Sequence, residues 1–175
     1  MIKNKKGFFL FVFYLFLNGC AGTSITSAIG NAVFSEKGFH KTIDDSLIYT
    51  RIKTNALSLG FETLSNIGIH VFNGRVLLVG SVRNFKERLK LVKIAWKEQK
   101  VVEVINEISI DKNYSLYEVS KDLYLQSKIA SSLLLEEKII SNNYSIQVYK
   151  KNIYVIGLSR SLNEKNEIED FLLSF

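Results

Sequence analysis

The feature of this chain that most constrains its fold is an internal repeat. The segment IHVFNGRVLLVG at 69–80 recurs as IQVYKKNIYVIG at 146–157, an offset of 77 positions. The same offset, without a gap, aligns five further pairs: Asp45 with Asp122, Ile52 with Ile129, Leu57 with Leu134, Arg83 with Arg160 and Glu87 with Glu164. A repeat of this length predicts one folding module used twice.

Each copy of the repeated segment has the pattern of a β-hairpin. Apolar residues alternate on both sides of Asn73-Gly74, a dipeptide that tolerates the positive φ angles of a type I′ turn. The second copy has Lys-Lys-Asn at 150–152, which is weaker turn chemistry. Gly80 and Gly157 close the second strand, where a missing Cβ lets the backbone bend or a helix pack closely. We expect structural roles for these glycines and for Gly74, because the spacing of a phosphate-binding loop is absent.

Helical periodicity completes the first module. Asp44 or Asp45 is a suitable N-cap for a first helix that ends at Gly60, and Asn84 for a second helix that runs to about Lys100. The first helix has apolar residues at helical spacing: Ile48, Ile52, Ala56 and Leu59. VVEVINEISI at 101–110 then predicts a third strand. The predicted order is α-β-β-α-β, which places the module in the α+β class.

The second helix of this module carries two stripes. We expect the apolar stripe to face the sheet and the basic stripe, about 100° away, to be exposed. The apolar stripe consists of Phe85, Leu89, Val92 and Trp96, and the basic stripe of Lys86, Lys90, Lys93 and Lys97. Two interpretations of the lysines remain open: a solvated helix face, or a contact with anionic lipid head groups.

The second module repeats this plan but ends earlier. Asp122 predicts the N-cap of a helix with Leu125, Ile129 and Leu133 facing inward. The counterpart of the third strand falls at about 177–187, beyond Phe175, so we expect the second sheet to be one strand short. Three outcomes are open: an incomplete sequence, a domain supported by the first module, or an edge completed by a partner's strand. Of these, the sequence favours the first two together.

The N-terminal segment predicts export. Three lysines at positions 3, 5 and 6 precede the apolar run FFLFVFYLFL at 8–17, which is too short to span a membrane but suits a signal peptide. The run ends at LNGC, positions 17–20, a tetrapeptide that resembles a bacterial lipobox. We therefore predict a signal peptide at 1–19 and a lipidated Cys20, bearing palmitate or a similar acyl chain, that opens a flexible tether at 20–41. The alternative is an ordinary cysteine after an ordinary signal peptide.

Charge and side-chain chemistry exclude several classes of function. The net charge is +6, but residues 20 onward contain 20 basic and 17 acidic side chains, which does not indicate nucleic-acid binding. His40 and His70 do not lie at metal-ligand spacing from other ligands, and we expect His70 to be an exposed strand residue. We find no nucleophile motif and expect no enzyme, no metal, no cofactor and no small-molecule substrate.

Three segments together resemble a BON domain. They are TIDDSLIYTRIKTNAL at 42–57, the hairpin that ends in Gly-Ser-Val at 80–82, and VVEVINEISI at 101–110. With the lipobox, the tether and the second copy, the chain resembles the dual-BON outer-membrane lipoproteins of the DolP or YraP type. This resemblance implies a first BON domain at 42–111, a linker at 112–119 and an incomplete second BON domain at 120–175.

The resemblance also implies a place and a function. Members of this family are envelope proteins, and the first helix of their second BON domain contacts anionic phospholipid. In this sequence that helix runs from Asp122 to Leu135, with Tyr124, Lys128 and Leu135 as candidate contacts. Two interpretations are equally open: these side chains meet lipid, or Tyr124 and Leu135 pack on the other module.

The sequence therefore favours a non-catalytic lipoprotein of the outer membrane, facing the periplasm. It would associate with membrane phospholipid, or with envelope protein partners, and support membrane integrity. The alternative is a structural or chaperone-like protein-interaction module with no lipid binding beyond its anchor.

Overall fold

The computed structural model describes residues 39–111 and 115–175. The predicted signal peptide, Cys20, almost all of the tether, the His40 side chain and residues 112–114 lie outside the described part. The helices are α1 (Phe39–Ala56), α2 (Phe61–Ser65), α3 (Phe85–Lys97), α4 (Leu116–Leu133) and α5 (Leu162–Leu173). The strands are β1 (Ile67–Phe72), β2 (Arg75–Val82), β3 (Glu103–Ile110), β4 (Tyr144–Tyr149) and β5 (Asn152–Gly157). The class is α+β, as predicted.

The first module, residues 39–111, is built on a three-stranded sheet. Its order is β1-β2-β3, with β1 antiparallel and β3 parallel to the central β2. The helix α3 makes the crossover that a parallel pair requires. One face of the sheet packs on α1 and α3 around Ile52, Val76, Leu78 and Leu91, which are at most 1% exposed. Ile48, Ile52 and Ala56 are all buried, which confirms the inward stripe predicted for the first helix.

Asp45 does not cap a helix, contrary to the sequence prediction. Helix α1 already starts at Phe39, so Asp45 lies one and a half turns inside it. Its buried carboxylate instead accepts hydrogen bonds from the backbone N–H groups of Asn73 (2.7 Å) and Gly74 (2.8 Å). Both turn residues have positive φ, 53° and 76°, as a type I′ turn requires. The acid residue thus fixes the hairpin rather than the helix end.

The prediction that the apolar stripe of α3 faces the sheet is also wrong. Phe85 is 63% exposed, Leu89 41% and Trp96 53%, whereas Leu91 and Ala95 are buried. Leu91 and Ala95 lie in the core above the sheet, and Val92 and Ile94 pack against it half-buried, so the buried side of α3 is rotated away from the predicted one. Asn84 caps α3 as predicted, accepting from the Glu87 N–H at 3.0 Å.

The second module, residues 115–175, has the order α-β-β-α. Helix α4 begins at Leu116 after a capping box of Ser115 and Glu118. It therefore includes residues 116–119 of the predicted linker. Asp122 again is not the cap. Its carboxylate accepts from the N–H groups of Lys150 (2.5 Å) and Lys151 (3.0 Å), which adopt positive φ although neither is Asn or Gly. In the described part of the chain, this module's sheet contains β4 and β5.

A second carboxylate–backbone contact recurs at the same offset, with Glu164 buried and Glu87 half-buried. Glu164 accepts hydrogen bonds from the N–H groups of Ile140 (3.0 Å) and Arg160 (2.8 Å), as Glu87 does from the N–H of Arg83 (3.1 Å). Burial by itself raises the pKa of Glu164, but these N–H donors and the Arg160 guanidinium outweigh it, so the pKa is lowered. The carboxylate therefore stays charged while it pins the start of α5.

The two sheets stack face to face, which yields four layers: helices, sheet, sheet, helices. A cluster between the sheets joins Phe72, Leu77 and Val79 of the first module to Tyr149, Tyr154 and Ile156 of the second. Each of these six residues has its partner in the same cluster 77 positions away, so the modules meet through equivalent faces, as the subunits of a twofold dimer do. In the sequence, the unbroken apolar run 76–79 indicated that β2 is buried on both faces of its sheet.

His70 lies at this stacked interface, so the expectation of an exposed strand residue is wrong. It is half-buried, and its Nε2 lies 3.0 Å from Oε1 of Gln147, its repeat equivalent. Burial lowers the pKa of His70, and the hydrogen bond to Gln147 raises it by less. Neutral imidazole is therefore the favoured form at this position.

Gly80 allows the backbone of β2 to approach the backbone of Asn66 closely. It has a φ of +136°, and a Cβ there would lie 2.0 Å from the carbonyl oxygen of Asn66, which itself accepts from the Ser81 N–H. A Cβ on Gly157 would similarly meet the carbonyl oxygen of Asn143 at 2.4 Å. In both copies the neighbour is the residue directly before the first strand of the hairpin: Asn66 follows α2, and Asn143 ends a short 3-10 helix.

Candidate functional site

Helix α4 presents a row of alternating tyrosines and lysines to solvent. Tyr117 is 67% exposed and Tyr124 74%, and Lys121 and Lys128 lie on the same stripe at spacings of three and four residues. The opposite side of the helix buries Ile129 and Leu133 completely or nearly so. We call this row, Tyr117, Lys121, Tyr124 and Lys128, the α4 face.

The rotation of α4 is fixed by polar contacts on its inner side. The carboxylate of Asp122 is bonded to the β4–β5 turn, and Oε1 of Gln126 accepts from the Val148 N–H at 3.2 Å. These two residues are four positions apart and hold one side of the helix against the hairpin. The α4 face therefore cannot turn inward without breaking bonds to buried backbone.

Cation–π contacts order the lysines of this face. The Nζ of Lys121 lies 4.2 Å from the ring centroid of Tyr117, and that of Lys128 lies 5.3 Å from the ring of Phe175. Phe175 in turn packs edge-on against Phe171 at 5.2 Å. Contacts of this kind leave the ammonium groups at the surface, where further anionic partners can reach them.

Two leucines extend the α4 face beyond the end of the helix. Leu134 is 70% exposed and Leu135 82%. This contradicts the interpretation in which Tyr124 and Leu135 pack on the other module. The arrangement combines amphipathic aromatic rings, ammonium groups and apolar side chains on one surface, which is the composition of membrane-interface segments.

A second surface of mixed character lies on α3. Lys86, Lys90, Lys93 and Lys97 are all exposed, as predicted, and none of the ion pairs within residues 39–111 and 115–175 involves them. Phe85 and Trp96 are exposed beside them, which sequence reasoning missed by assigning them to the core. In the sequence, the i, i+4 spacing of Leu91 and Ala95 was the pattern that indicated the buried side of α3.

Within the described ranges no group of three or more His, Cys, Asp or Glu side chains is placed to hold a metal ion. None of the helices there is long and apolar enough to cross a membrane.

Comparison with known proteins adds a family and three relatives. A family model described as BON domain matches residues 44–112. An "uncharacterized protein in gshII 5′ region" of Anaplasma centrale is 35% identical over 127 residues, which cover 72% of this chain and 83% of that protein.

Two further relatives are more distant. The "outer membrane lipoprotein DolP" of Haemophilus influenzae is 24% identical over 147 residues, or 82% of this chain and 76% of the relative. A "21 kDa hemolysin" of Actinobacillus pleuropneumoniae is 22% identical over 116 residues, or 66% of this chain and 60% of the relative.

Proposed function

The chain belongs to the BON-domain proteins, and on that premise we propose that it is a non-catalytic envelope lipoprotein that associates with membrane phospholipid. In this proposal Cys20 carries the lipid anchor and holds the protein on the periplasmic side of the outer membrane, where it supports membrane integrity. The Haemophilus relative is named as an outer membrane lipoprotein, which supports that location.

The same proposal treats residues 115–175 as a second BON module. The support is the recurrence of carboxylate–backbone contacts at the offset of 77. Asp45 and Asp122 each hold a hairpin turn, and Glu87 and Glu164 each bind the backbone before a helix. Asp45 and Asp122 are buried, and a buried charge without its partners destabilises a fold strongly, so the recurrence of the same partners supports a shared fold.

The observation that carries lipid binding is the exposure of the α4 face. Tyr124 and Leu135 are 74% and 82% exposed, so packing against residues 39–111 and 115–175 does not account for an aromatic and an aliphatic side chain at these positions. Lys121 and Lys128 stand beside them on the surface. Tyrosine rings favour the head-group region, and each nearby lysine contributes about 1 kcal/mol toward anionic lipid.

Vesicle co-sedimentation tests this proposal. The chain from residue 20 onward, with Cys20→Ala to remove the anchor, contains every described helix and strand. We expect it to sediment with vesicles that contain phosphatidylglycerol and less with pure phosphatidylcholine, and to be released by salt as screening requires. Tyr124→Ser with Lys128→Glu should weaken binding. The matched control is Lys138→Glu, an exposed lysine of the same module away from α4.

The competing function is a protein-interaction module without lipid affinity. It predicts that the anchor-free chain stays in the supernatant with both lipids, and that Tyr124→Ser leaves sedimentation unchanged. That result would refute phospholipid binding by the α4 face and leave only the anchor.

The anchor is tested separately. Cys20→Ala in the full chain should move the protein from the membrane fraction to the soluble periplasmic fraction, because a ten-residue apolar run does not span a bilayer. Intact-mass analysis that shows an unmodified protein cleaved elsewhere would overturn the lipoprotein assignment.

A further inference from the structure

The rotation of α3 exposes a continuous apolar stripe. Phe85, Leu89 and Trp96 are 63%, 41% and 53% exposed, and Val92 between them is half-buried. From Phe85 to Trp96 the stripe spans about 16 Å of helix. We call Phe85, Leu89 and Trp96 the α3 ridge. Large apolar side chains lined up in this way at a surface mark a contact with another molecule or a membrane.

The net positive charge of residues 39–175 is concentrated on the same helix. Residues 39–175 contain 19 basic and 16 acidic side chains, and α3 contributes five of the basic and one of the acidic. The remaining positions hold 14 basic and 15 acidic side chains. Lys86, Lys90, Lys93 and Lys97 lie along one side of the ridge. A basic stripe beside an apolar stripe is complementary to an anionic bilayer surface.

The repeat supplies an internal comparison. Helix α5 is the counterpart of α3, and it exposes Leu162 (80%) and Leu173 (84%) at the positions equivalent to Phe85 and Trp96. Helix α5, however, contains one basic and four acidic residues. The two helices therefore share exposed apolar positions and differ in charge and in aromatic content. An anionic membrane would attract α3 and repel α5.

We propose that α3 is a second membrane contact, in which the α3 ridge enters the interfacial layer of an anionic phospholipid bilayer while the four lysines meet head-group phosphates. This inference rests on the proposed association with phospholipid and adds a binding surface on the first module to the α4 face of the second. Tryptophan and phenylalanine are suited to that layer, since their rings prefer the boundary between head groups and acyl chains.

The chain contains one tryptophan, Trp96, so its fluorescence reports on the ridge itself. The anchor-free chain from residue 20 onward, with Cys20→Ala, is titrated with phosphatidylcholine vesicles with and without phosphatidylglycerol. We expect a blue shift of Trp96 emission and loss of quenching by iodide with the anionic vesicles. Lipids brominated near the head group should quench Trp96 more than lipids brominated near the chain end.

Matched variants identify the surface by co-sedimentation. Phe85→Ser with Trp96→Ser should weaken binding to anionic vesicles by about tenfold, because binding scales with the buried apolar area. Leu162→Ser with Leu173→Ser, the equivalent pair on α5, should bind as the parent does. Circular dichroism checks that both variants are folded, which their surface positions favour.

The outcomes separate this inference from the proposed function. If the parent binds vesicles while Trp96 emission and iodide quenching stay unchanged, the α3 ridge is not a membrane contact, although phospholipid association stands. Equal loss of binding in the α3 and α5 pairs would also overturn the inference, since charge would then not distinguish them. Absence of binding to any vesicle would overturn both.

Discussion

Tyr149→Ala is the substitution that tests most directly whether the stacked sheets hold the two modules together. Tyr149 is 5% exposed and lies in the cluster with Phe72, Leu77 and Val79 of the first module. Its hydroxyl is 2.5 Å from the Oγ of Ser109 on β3. One side chain thus contributes both an apolar contact and a polar contact across the interface.

The two contributions can be separated by magnitude. Truncating a buried aromatic side chain to alanine costs about 3–5 kcal/mol, through lost burial and the cavity left behind. Tyr149→Phe keeps the ring and removes the hydroxyl, and loss of its hydrogen bond to Ser109 costs about 1 kcal/mol. Ser109→Ala removes the same bond and also the hydrogen bond that Ser109 Oγ donates to the Gly80 carbonyl oxygen (3.3 Å). Because the Ser109–Tyr149 bond is lost in both single variants, the double variant should lose less stability than the two single losses added together.

The second module should bear most of the loss. Apart from the residues between the sheets, it buries five apolar side chains, Ile129, Leu133, Ile139, Val148 and Ile168, against ten in the first module, and its sheet has two strands in the described part. A two-stranded sheet needs packing against other elements to be stable. We therefore expect the second module to unfold at a lower urea concentration once Tyr149 is removed.

Urea unfolding followed by two probes measures this. Trp96 reports on the first module, and far-ultraviolet circular dichroism reports on both. The parent should show coincident transitions, and Tyr149→Ala should show an early dichroism phase with the Trp96 transition little changed. Coincident transitions in the variant with a loss below about 1 kcal/mol would refute the stacked interface as the source of the second module's stability.

Three further predictions follow from buried polar groups and close backbone contacts. Asp45→Asn should cost about 2 kcal/mol in urea unfolding, because the amide can accept from one turn N–H and leaves the other unpaired; stability equal to the parent would contradict this. His70 has its pKa lowered below 6.5 in the folded state, so the unfolded chain binds the proton first, and stability should fall as the pH drops from about 7 through 6.5 toward the folded pKa. His70→Gln should reduce that decline, and an identical pH dependence in both proteins would count against a role for the His70–Gln147 contact. Gly80→Ala should lower the melting temperature strongly, since its Cβ would lie 2.0 Å from the Asn66 carbonyl oxygen; differential scanning calorimetry that shows no change would contradict it.

Local structure followed from local signals. Alternation around Asn73-Gly74 predicted the first hairpin because a type I′ turn demands positive φ at two successive residues, and both have it. The inward positions of α1 followed from helical spacing, since burial on one side of a helix needs only the period of 3.6 residues. The candidate lipid contacts Tyr124, Lys128 and Leu135 are all exposed.

The orientation of α3 and the roles of the buried aspartates could not be predicted from the sequence. The sequence of α3 contains two apolar stripes, and the choice between them depends on the space above the sheet, which Ala95 and Leu91 fill. Asp45 and Asp122 have the sequence signature of N-caps, but their carboxylates reach hairpin turns that come 28 and 29 residues later in the chain. Contacts between residues so far apart in the chain cannot be read from the local periodicity of the sequence.

The sequence by itself determined the repeat, the hairpins and the α+β class, because these depend on backbone preferences and on patterns within about twenty residues. The tertiary structure decided that the two sheets stack through equivalent faces, which moves His70 from an exposed strand to an interface. It also decided which side of α3 is buried, and so which residues form the α3 ridge. Both outcomes depend on the shapes of surfaces that meet only after each module has folded.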